Sequence, residues 1–247
     1  MKAMIFAAGL GTRLKPLTDT MPKALVPICG KPMLQHVIEK LKASGFNDII
    51  INVHHFPQQI IDFLAANNSF GIKITISDES DMLLDTGGGM KKAMKALNCT
   101  DTPILFHNVD ILSDCDLTSL VEHHISSCAV ATLLVSSRST QRYLLFDQQM
   151  RLKGWVNKAT GSTKPAGFTY REGEYLEYAY SGIEVANTRL ADEMTGNECN
   201  GKFSIIDFYL DNCNRLDIHG YAVNNLKIID IGKPETLHDA ETFLQNL

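Results

Sequence analysis

Apolar positions along the chain follow two rhythms. Through residues 3–110, short apolar runs of strand length, AMIFAA (3–8), DIIINV (48–53), IKITIS (72–77) and PILFHNVD (103–110), alternate with stretches patterned at helical spacing. In PMLQHVIEKLKASG (32–45), Leu34, Val37, Ile38 and Leu41 fall on one helical face and Gly45 supplies a terminator. Further helices are expected near 57–66 and after Gly89. This β-α-β-α order predicts an α/β fold: a Rossmann-like, mostly parallel sheet with helices on both faces and ligands at the carboxyl ends of its strands.

Beyond AVATLLVSS (129–137) the rhythm changes. YLLFD, RLKGWVN and LEYAYSGIEVA read as strands joined by turns, with NKATGSTKPAG (157–167) as a mobile loop rich in Gly, Ser, Thr and Pro. A helix near 203–213, a strand LKIIDI (226–231) and a final helix from about Pro234 follow. No internal repeat or composition break divides the chain, so one domain over 1–247 is expected.

Composition narrows the class without altering that fold. Of 247 residues, 45% are hydrophobic and 21% charged, as in a globular protein with a sizeable core. A net charge of -5 argues against a nucleic-acid binder, because phosphate backbones select clustered Lys and Arg; the expected partner is small. The cysteines, Cys29, Cys99, Cys115, Cys128, Cys199 and Cys213, lack CxxC spacing, so free thiols are expected rather than a zinc site or disulfide framework. The first apolar run stops at Gly9, too short for a signal-peptide core, and no apolar stretch nears the roughly 20 residues of a membrane span. A cytoplasmic protein without membrane contact is expected.

Candidate chemistry begins in FAAGLGTRLKP (6–16). Gly9 and Gly11 satisfy only part of GxGxxG, since Leu14 stands where a third glycine would let helix and strand pack closely. Pro16, Pro22 and Pro27 forbid an immediate helix, and no GK[ST] follows at Walker A spacing. What remains is a strand feeding a long loop whose glycines expose N–H groups, with Arg13, Lys15 and Lys23 along it. Such a loop suits a polyphosphate, while a lone GxG fits a surface turn with incidental charges equally well. Asp110, ending PILFHNV, and Asp230, just beyond LKII, are acidic groups at strand ends that can converge on Mg²⁺, which takes few carboxylates plus phosphate oxygens. Helix capping or a surface position is the competing reading for each. Asp85, Thr86, Gly87 and Gly88 precede the helix expected after Gly89, and successive glycines let a base or ribose approach the backbone; a flexible helix start is the alternative.

The match extends well past a lone GxG. The run KAMIFAAGLGTRLKPLTDTMPKALVPICGKPMLQHVI (2–38) resembles the amino-terminal signature of sugar-1-phosphate nucleotidyltransferases, GxGTRLxPLT followed by PKxLxPxxGKPxL. The resemblance continues through LDTGGGM (84–90), NVDIL (108–112), YSGIEV (180–185) and IDIGKPETL (229–237), and is greatest to short members without a carboxyl-terminal β-helix, such as N-acetylmuramate-1-phosphate uridylyltransferases and small mannose-1-phosphate guanylyltransferases. It implies residues 1–135 mainly binding the nucleotide, 136–225 mainly binding the sugar, and 226–247 returning to the core.

The resemblance also implies roles. Ala8, Gly9, Gly11, Thr12 and Arg13 would hold the triphosphate, with Arg13 on the leaving pyrophosphate and Lys23 on the α-phosphate or incoming sugar phosphate. Asp85, Thr86, Gly87 and Gly88 would meet base and ribose, and Asp110 and Asp230 would hold Mg²⁺. Ser181, Gly182 and Glu184 would line the sugar pocket, with Asn157 and Lys158 where many relatives carry an EK pair. Two departures stand out: Val109 replaces the usual glycine before Asp110, and Asn157 replaces the glutamate. The implied substrates are a nucleoside triphosphate, UTP or GTP, and a sugar-1-phosphate, with UTP and N-acetylmuramate-1-phosphate favoured over GTP and mannose- or heptose-1-phosphate. More distant are cytidylyl transfer to a phosphorylated alcohol and a non-catalytic regulator that binds nucleotide sugar; a regulator would be expected to lose Arg13, Lys23 or an aspartate. The pairs His54 and His55, and His123 and His124, point their members to different sides of an element and make no natural metal site.

Overall fold

The computed structural model describes residues 1–97 and 101–245. Its strands are β1 (Lys2–Phe6), β2 (Pro27–Ile28), β3 (Lys31–Pro32), β4 (Asp48–Val53), β5 (Lys73–Asp78), β6 (Pro103–Asn108), β7 (Ile111–Ser113), β8 (Ala131–Ser136), β9 (Arg142–Phe146), β10 (Leu152–Asn157), β11 (Ser162–Lys164), β12 (Leu176–Asn187), β13 (Ile218–Ala222) and β14 (Ile228–Asp230). Its helices are α1 (Met33–Ala43), α2 (Pro57–Ala66), α3 (Asp85–Ala96), α4 (Leu117–Ser127), α5 (Leu190–Glu193), α6 (Ile205–Asn212) and α7 (Glu235–Gln245).

At the centre, β5, β4, β1 and β6 lie side by side, all parallel, with Ile5 opposite Ile51 and His107. Both faces of this sheet are covered, which is why its strands read as continuous apolar runs. On one face Ile5, Ile49 and Ile51 pack with α1, α2, α4 and α7; on the other Met4, Ile50 and Phe106 pack with α3, α5 and α6. The sheet turns antiparallel at β12, which lies beside β6 and also pairs with β8 and β9, and then continues to β10 and β11. A register shift between Tyr180 and Glu184 lets β12 serve these partners in turn.

The predicted α/β fold and the parallel centre match the structure. Several local expectations do not. Helix α3 begins at Asp85 instead of after Gly89, so the glycines form its first turn. Helix α4 and strand β13 had no expected counterpart, and β11 lies inside the stretch expected to be loop. Strand β14 pairs antiparallel with β7 in a separate two-stranded ribbon. That ribbon, by placing Asp230 opposite Ile111, carries the chain's last acidic candidate back to the end of β6.

Candidate active site

The loop after β1 is shaped by one glycine. Gly11 has φ 64°, and a Cβ there would lie 2.8 Å from Thr18 Cγ2 and 2.9 Å from Lys23 Cβ. Only glycine fits such a left-handed, crowded position. The Thr18 hydroxyl donates to Gly11 O at 2.8 Å, closing the loop so that Lys23 returns beneath it. Gly9, by contrast, faces open space.

Beneath the loop runs a buried polar chain. Ala7 N and Ala8 N donate to Asn52 Oδ1 at 2.7 and 3.3 Å, Asn52 Nδ2 donates to Glu79 Oε1 at 2.8 Å, and Leu84 N donates to Glu79 Oε2 at 3.1 Å. This chain ties the ends of β1, β4 and β5 to the start of α3. Above it opens a cleft of about 270 Å³, bordered by Ala8, Gly9, Lys23, Asp85, Thr86 and Asp110. Residues unnoticed in the sequence, Asn52, Glu79, Asn108 and Lys202, complete it.

At the mouth of the cleft charges converge. Lys23 and Asp110 form an ion pair, with only 10% and 17% of their side chains exposed. Ile231 N donates to Asp110 O at 2.8 Å, which sets Asp230 beside this pair. Although solvent reaches Asp230, partial loss of hydration and repulsion by Asp110 raise its pKa, while Lys23, Arg13 and Arg138 pull it down. Arg13 lies against Gly232, where a Cβ would be 2.7 Å from Nη2 and 2.9 Å from Asp230 Oδ1. Cations and carboxylates from the two ends of the sequence thus share one small volume.

Two mutually repelling carboxylates with space for phosphate oxygens fit a hard cation such as Mg²⁺. Among the described residues no group of three or more His, Cys, Asp or Glu side chains comes together to hold a metal. Val109 causes no backbone strain: it is buried, and its N–H donates to Phe6 O at 3.2 Å, prolonging the β1–β6 pairing.

The remaining candidates are dispersed. Thr12 lines a separate hollow with Leu10, Lys15 and His55. Gly87 and Gly88 are buried; Cβ atoms on them would meet the Phe203 ring and Gly201 O, each at 2.3 Å. These glycines therefore let α3 pack against residues 201–203, and they lie in the helix's first turn where a loop was expected. Three hydrogen bonds seal that contact: Gly87 N to Phe203 O, Phe203 N to Leu84 O, and Ile205 N to Thr86 Oγ1, at 2.9, 3.2 and 3.0 Å.

On the antiparallel side, Asn157 and Lys158 point apart. Asn157 is opposite Arg142, and its Oδ1 accepts from Ala159 N at 3.0 Å, making a turn. Lys158 is held by Glu177 at 2.6 Å and lies over the Tyr143 and Tyr170 rings. Ser181 and Glu184 are buried, and Gly182, with φ 71°, lets Asn108 and Ile111 approach closely. Burial pushes the Glu184 carboxyl up to about 8, so it stays protonated at neutral pH. Glu184 is fully enclosed, beside Tyr180 and Tyr209.

The histidine pairs serve structure: His54 and His55 meet the carbonyls of Glu79 and Thr18, while buried His124 meets Thr132 Oγ1. Cys29, Cys115, Cys128, Cys199 and Cys213 are free thiols, and Cys99 lies outside the described residues. No helix among the described residues is long and apolar enough to cross a membrane.

Comparison with known proteins agrees with this architecture. The family model for nucleotidyl transferase matches residues 2–246, and the chain belongs to that family. It is 39% identical over 195 residues to a mannose-1-phosphate guanyltransferase of Yarrowia lipolytica, covering 78% of this chain and 51% of that protein. It is 41% identical over 133 residues to an N-acetylmuramate alpha-1-phosphate uridylyltransferase of Neisseria meningitidis, covering 51% of this chain and 57% of that protein. The chain spans about half the length of the curated relatives it matches. Among solved structures, a putative glucose-1-phosphate thymidylyltransferase from Bacillus anthracis superposes with TM-score 0.81 at 19% identity, covering 100% of this chain and 96% of that one. That likeness establishes the fold.

Proposed function

We propose that this chain transfers a nucleotidyl group from a nucleoside triphosphate to a sugar-1-phosphate, releasing pyrophosphate. The observation that carries this reading is the convergence of Arg13, Lys23, Asp110 and Asp230 at the mouth of the β1 cleft. In the reaction a sugar phosphate oxygen attacks the α-phosphorus and the bond to pyrophosphate breaks in line, so catalysis is mainly positioning and charge neutralisation. The loop at Gly9 admits the phosphates, Lys23 neutralises the reacting phosphate, and Arg13 stabilises the leaving pyrophosphate. Asp110 and Asp230 would hold Mg²⁺, which when bound neutralises phosphate charge and polarises the phosphoryl oxygens. Asp85 and Thr86 also border the cleft and are assigned to ribose and base.

Uridylyl transfer to an N-acetylmuramate-type sugar is the favoured substrate pair, supported by the Neisseria relative. Guanylyl transfer to mannose- or heptose-1-phosphate is the second reading, supported by the Yarrowia relative. Either goes with a cytoplasmic setting. The test is a matrix of nucleoside triphosphates against sugar-1-phosphates with Mg²⁺, scored for pyrophosphate. Release with one preferred pair is expected. Tight binding of a nucleotide sugar without pyrophosphate release from any pair would overturn catalysis in favour of a regulator.

A further inference from the structure

A second opening, of about 370 Å³, lies on the α6 side of the antiparallel strands. Arg138, Arg142, Trp155, Lys164 and Tyr180 border it, closed by Ser204 and Asp207 at the start of α6. Its charge is unbalanced. Lys164 pairs with Asp207 at 2.6 Å and lies 5.7 Å from the centre of the Trp155 ring, so the acid facing the opening is already neutralised. Arg138 donates to the Tyr180 carbonyl at 3.1 Å and forms no ion pair among the described residues; Arg142 has neither an ion pair nor a side-chain hydrogen bond there. Two guanidinium groups without a salt-bridged acid, Arg138 sharing only a longer-range field with Asp230, suit an anion carried on a ring beside the indole.

The groove adjoins the catalytic cleft. Arg138 acts electrostatically on Asp230, at the mouth of the cleft. Lys202 borders the cleft and Ser204 the groove, so one short stretch of chain separates them. From Tyr180 in the groove, β12 leads within two residues to Gly182, which abuts Asn108 in the cleft. Two residues of extended chain cover at most about 7 Å, the scale of one sugar ring with its substituents.

Resting on the reading above, we propose that the groove selects a sugar-1-phosphate bearing a second anionic group, which Arg142 and Arg138 bind while the ring lies against Trp155. The anion is a carboxylate or a second phosphate, since a guanidinium fork matches both. Neutral sugars leave the two cations unused.

The test compares glucose 1-phosphate, glucuronic acid 1-phosphate and glucose 1,6-bisphosphate by pyrophosphate release with Mg²⁺ and the preferred triphosphate. At least one doubly anionic sugar should exceed glucose 1-phosphate in kcat/KM by about tenfold to a hundredfold, and which one does so tells carboxylate from phosphate. In Arg142→Gln that preference should shrink about tenfold or more, mainly through KM of the anionic sugar, with Arg142→Lys intermediate. Equal kcat/KM for all three sugars, or a preference unchanged in Arg142→Gln, would overturn the proposal. Absence of turnover with these three sugars and with every pair of the wider matrix would instead break the catalytic reading. Calorimetric binding of the same three sugars then decides the groove: tighter binding of an anionic sugar, weakened in Arg142→Gln, sustains it, and equal binding overturns it.

Discussion

The mouth of the β1 cleft and the strands around β12 place their polar residues in opposite ways. At the cleft, Lys23, Asp110 and Arg13 stand on loops beyond strand ends, where a side chain's direction is set by turns and ion pairs. Around β12 the candidates lie within or just beyond strands, and the alternation of the pleat separates neighbours: Asn157 faces Arg142's side while Lys158 turns to Glu177. Strand ends gather residues distant in sequence, whereas within strands even neighbours are divided.

The strongest way to break that contrast is at the acids. Asp110→Ala and Asp230→Ala should each lower pyrophosphate release by about 10³-fold, the scale of losing a preorganised transition-state charge contact. Urea unfolding separates them. Asp110→Ala also loses stability because buried Lys23 is left without its partner, whereas exposed Asp230 can be removed with little change. A near-normal rate in either variant would remove that residue from the site.

Next come the two glycines of the loop. Gly11→Ala should cost roughly 2–3 kcal/mol, from a positive φ combined with the contacts at Thr18 and Lys23. Gly9→Ala, in open space, should cost less than about 0.5 kcal/mol yet raise KM for the triphosphate. Equal stabilities would show that the loop is not shaped as described.

The antiparallel side has its own test at Glu184. Its carboxyl ionises near 4.5 when unfolded but holds its proton to about 8 when folded. Its contribution is complete below pH 4.5 and is lost as pH rises towards 8. Glu184→Gln cannot ionise, so its Tm advantage over the wild type should grow across that interval. The difference between the two proteins cancels His107, whose pKa burial lowers to about 4 and whose effect runs the other way. A constant Tm difference would mean that Glu184 titrates normally. Smallest of all, Lys158→Ala should alter kcat/KM for the sugar-1-phosphate by less than about threefold, since its exposed pairing with Glu177 is a weak constraint. A tenfold loss would restore Lys158 to the sugar phosphate.

Legibility in the sequence follows the same division. Asp110 and Asp230 could be read because each ends an apolar run, and strand ends border the crevice of an α/β sheet. Helix α4 is faint in the sequence although Leu117, Leu120, Val121 and His124 repeat at helical spacing, because buried His124 reads as polar and its partner Thr132 lies on β8. Strand β13 is short, contains Gly220, and owes its place to parallel pairing with β8, a contact no local pattern announces. The glycines of α3 looked like an open loop because Phe203 and Gly201, which fill the space above them, are far away in sequence. Arg138 and Arg142 are hidden for the same reason: the pairing of β9 with β10 sets Arg142 near Trp155, and that of β8 with β12 brings Arg138 to Tyr180.

The seal between α3 and residues 203–205 also fixes a length. From Lys202 to Ser204 an extended chain covers at most about 7 Å, and its neighbours are fastened to Leu84, Thr86 and Gly87. The strip of chain that borders both chambers is therefore short and fastened at both ends, so the fold itself holds their spacing.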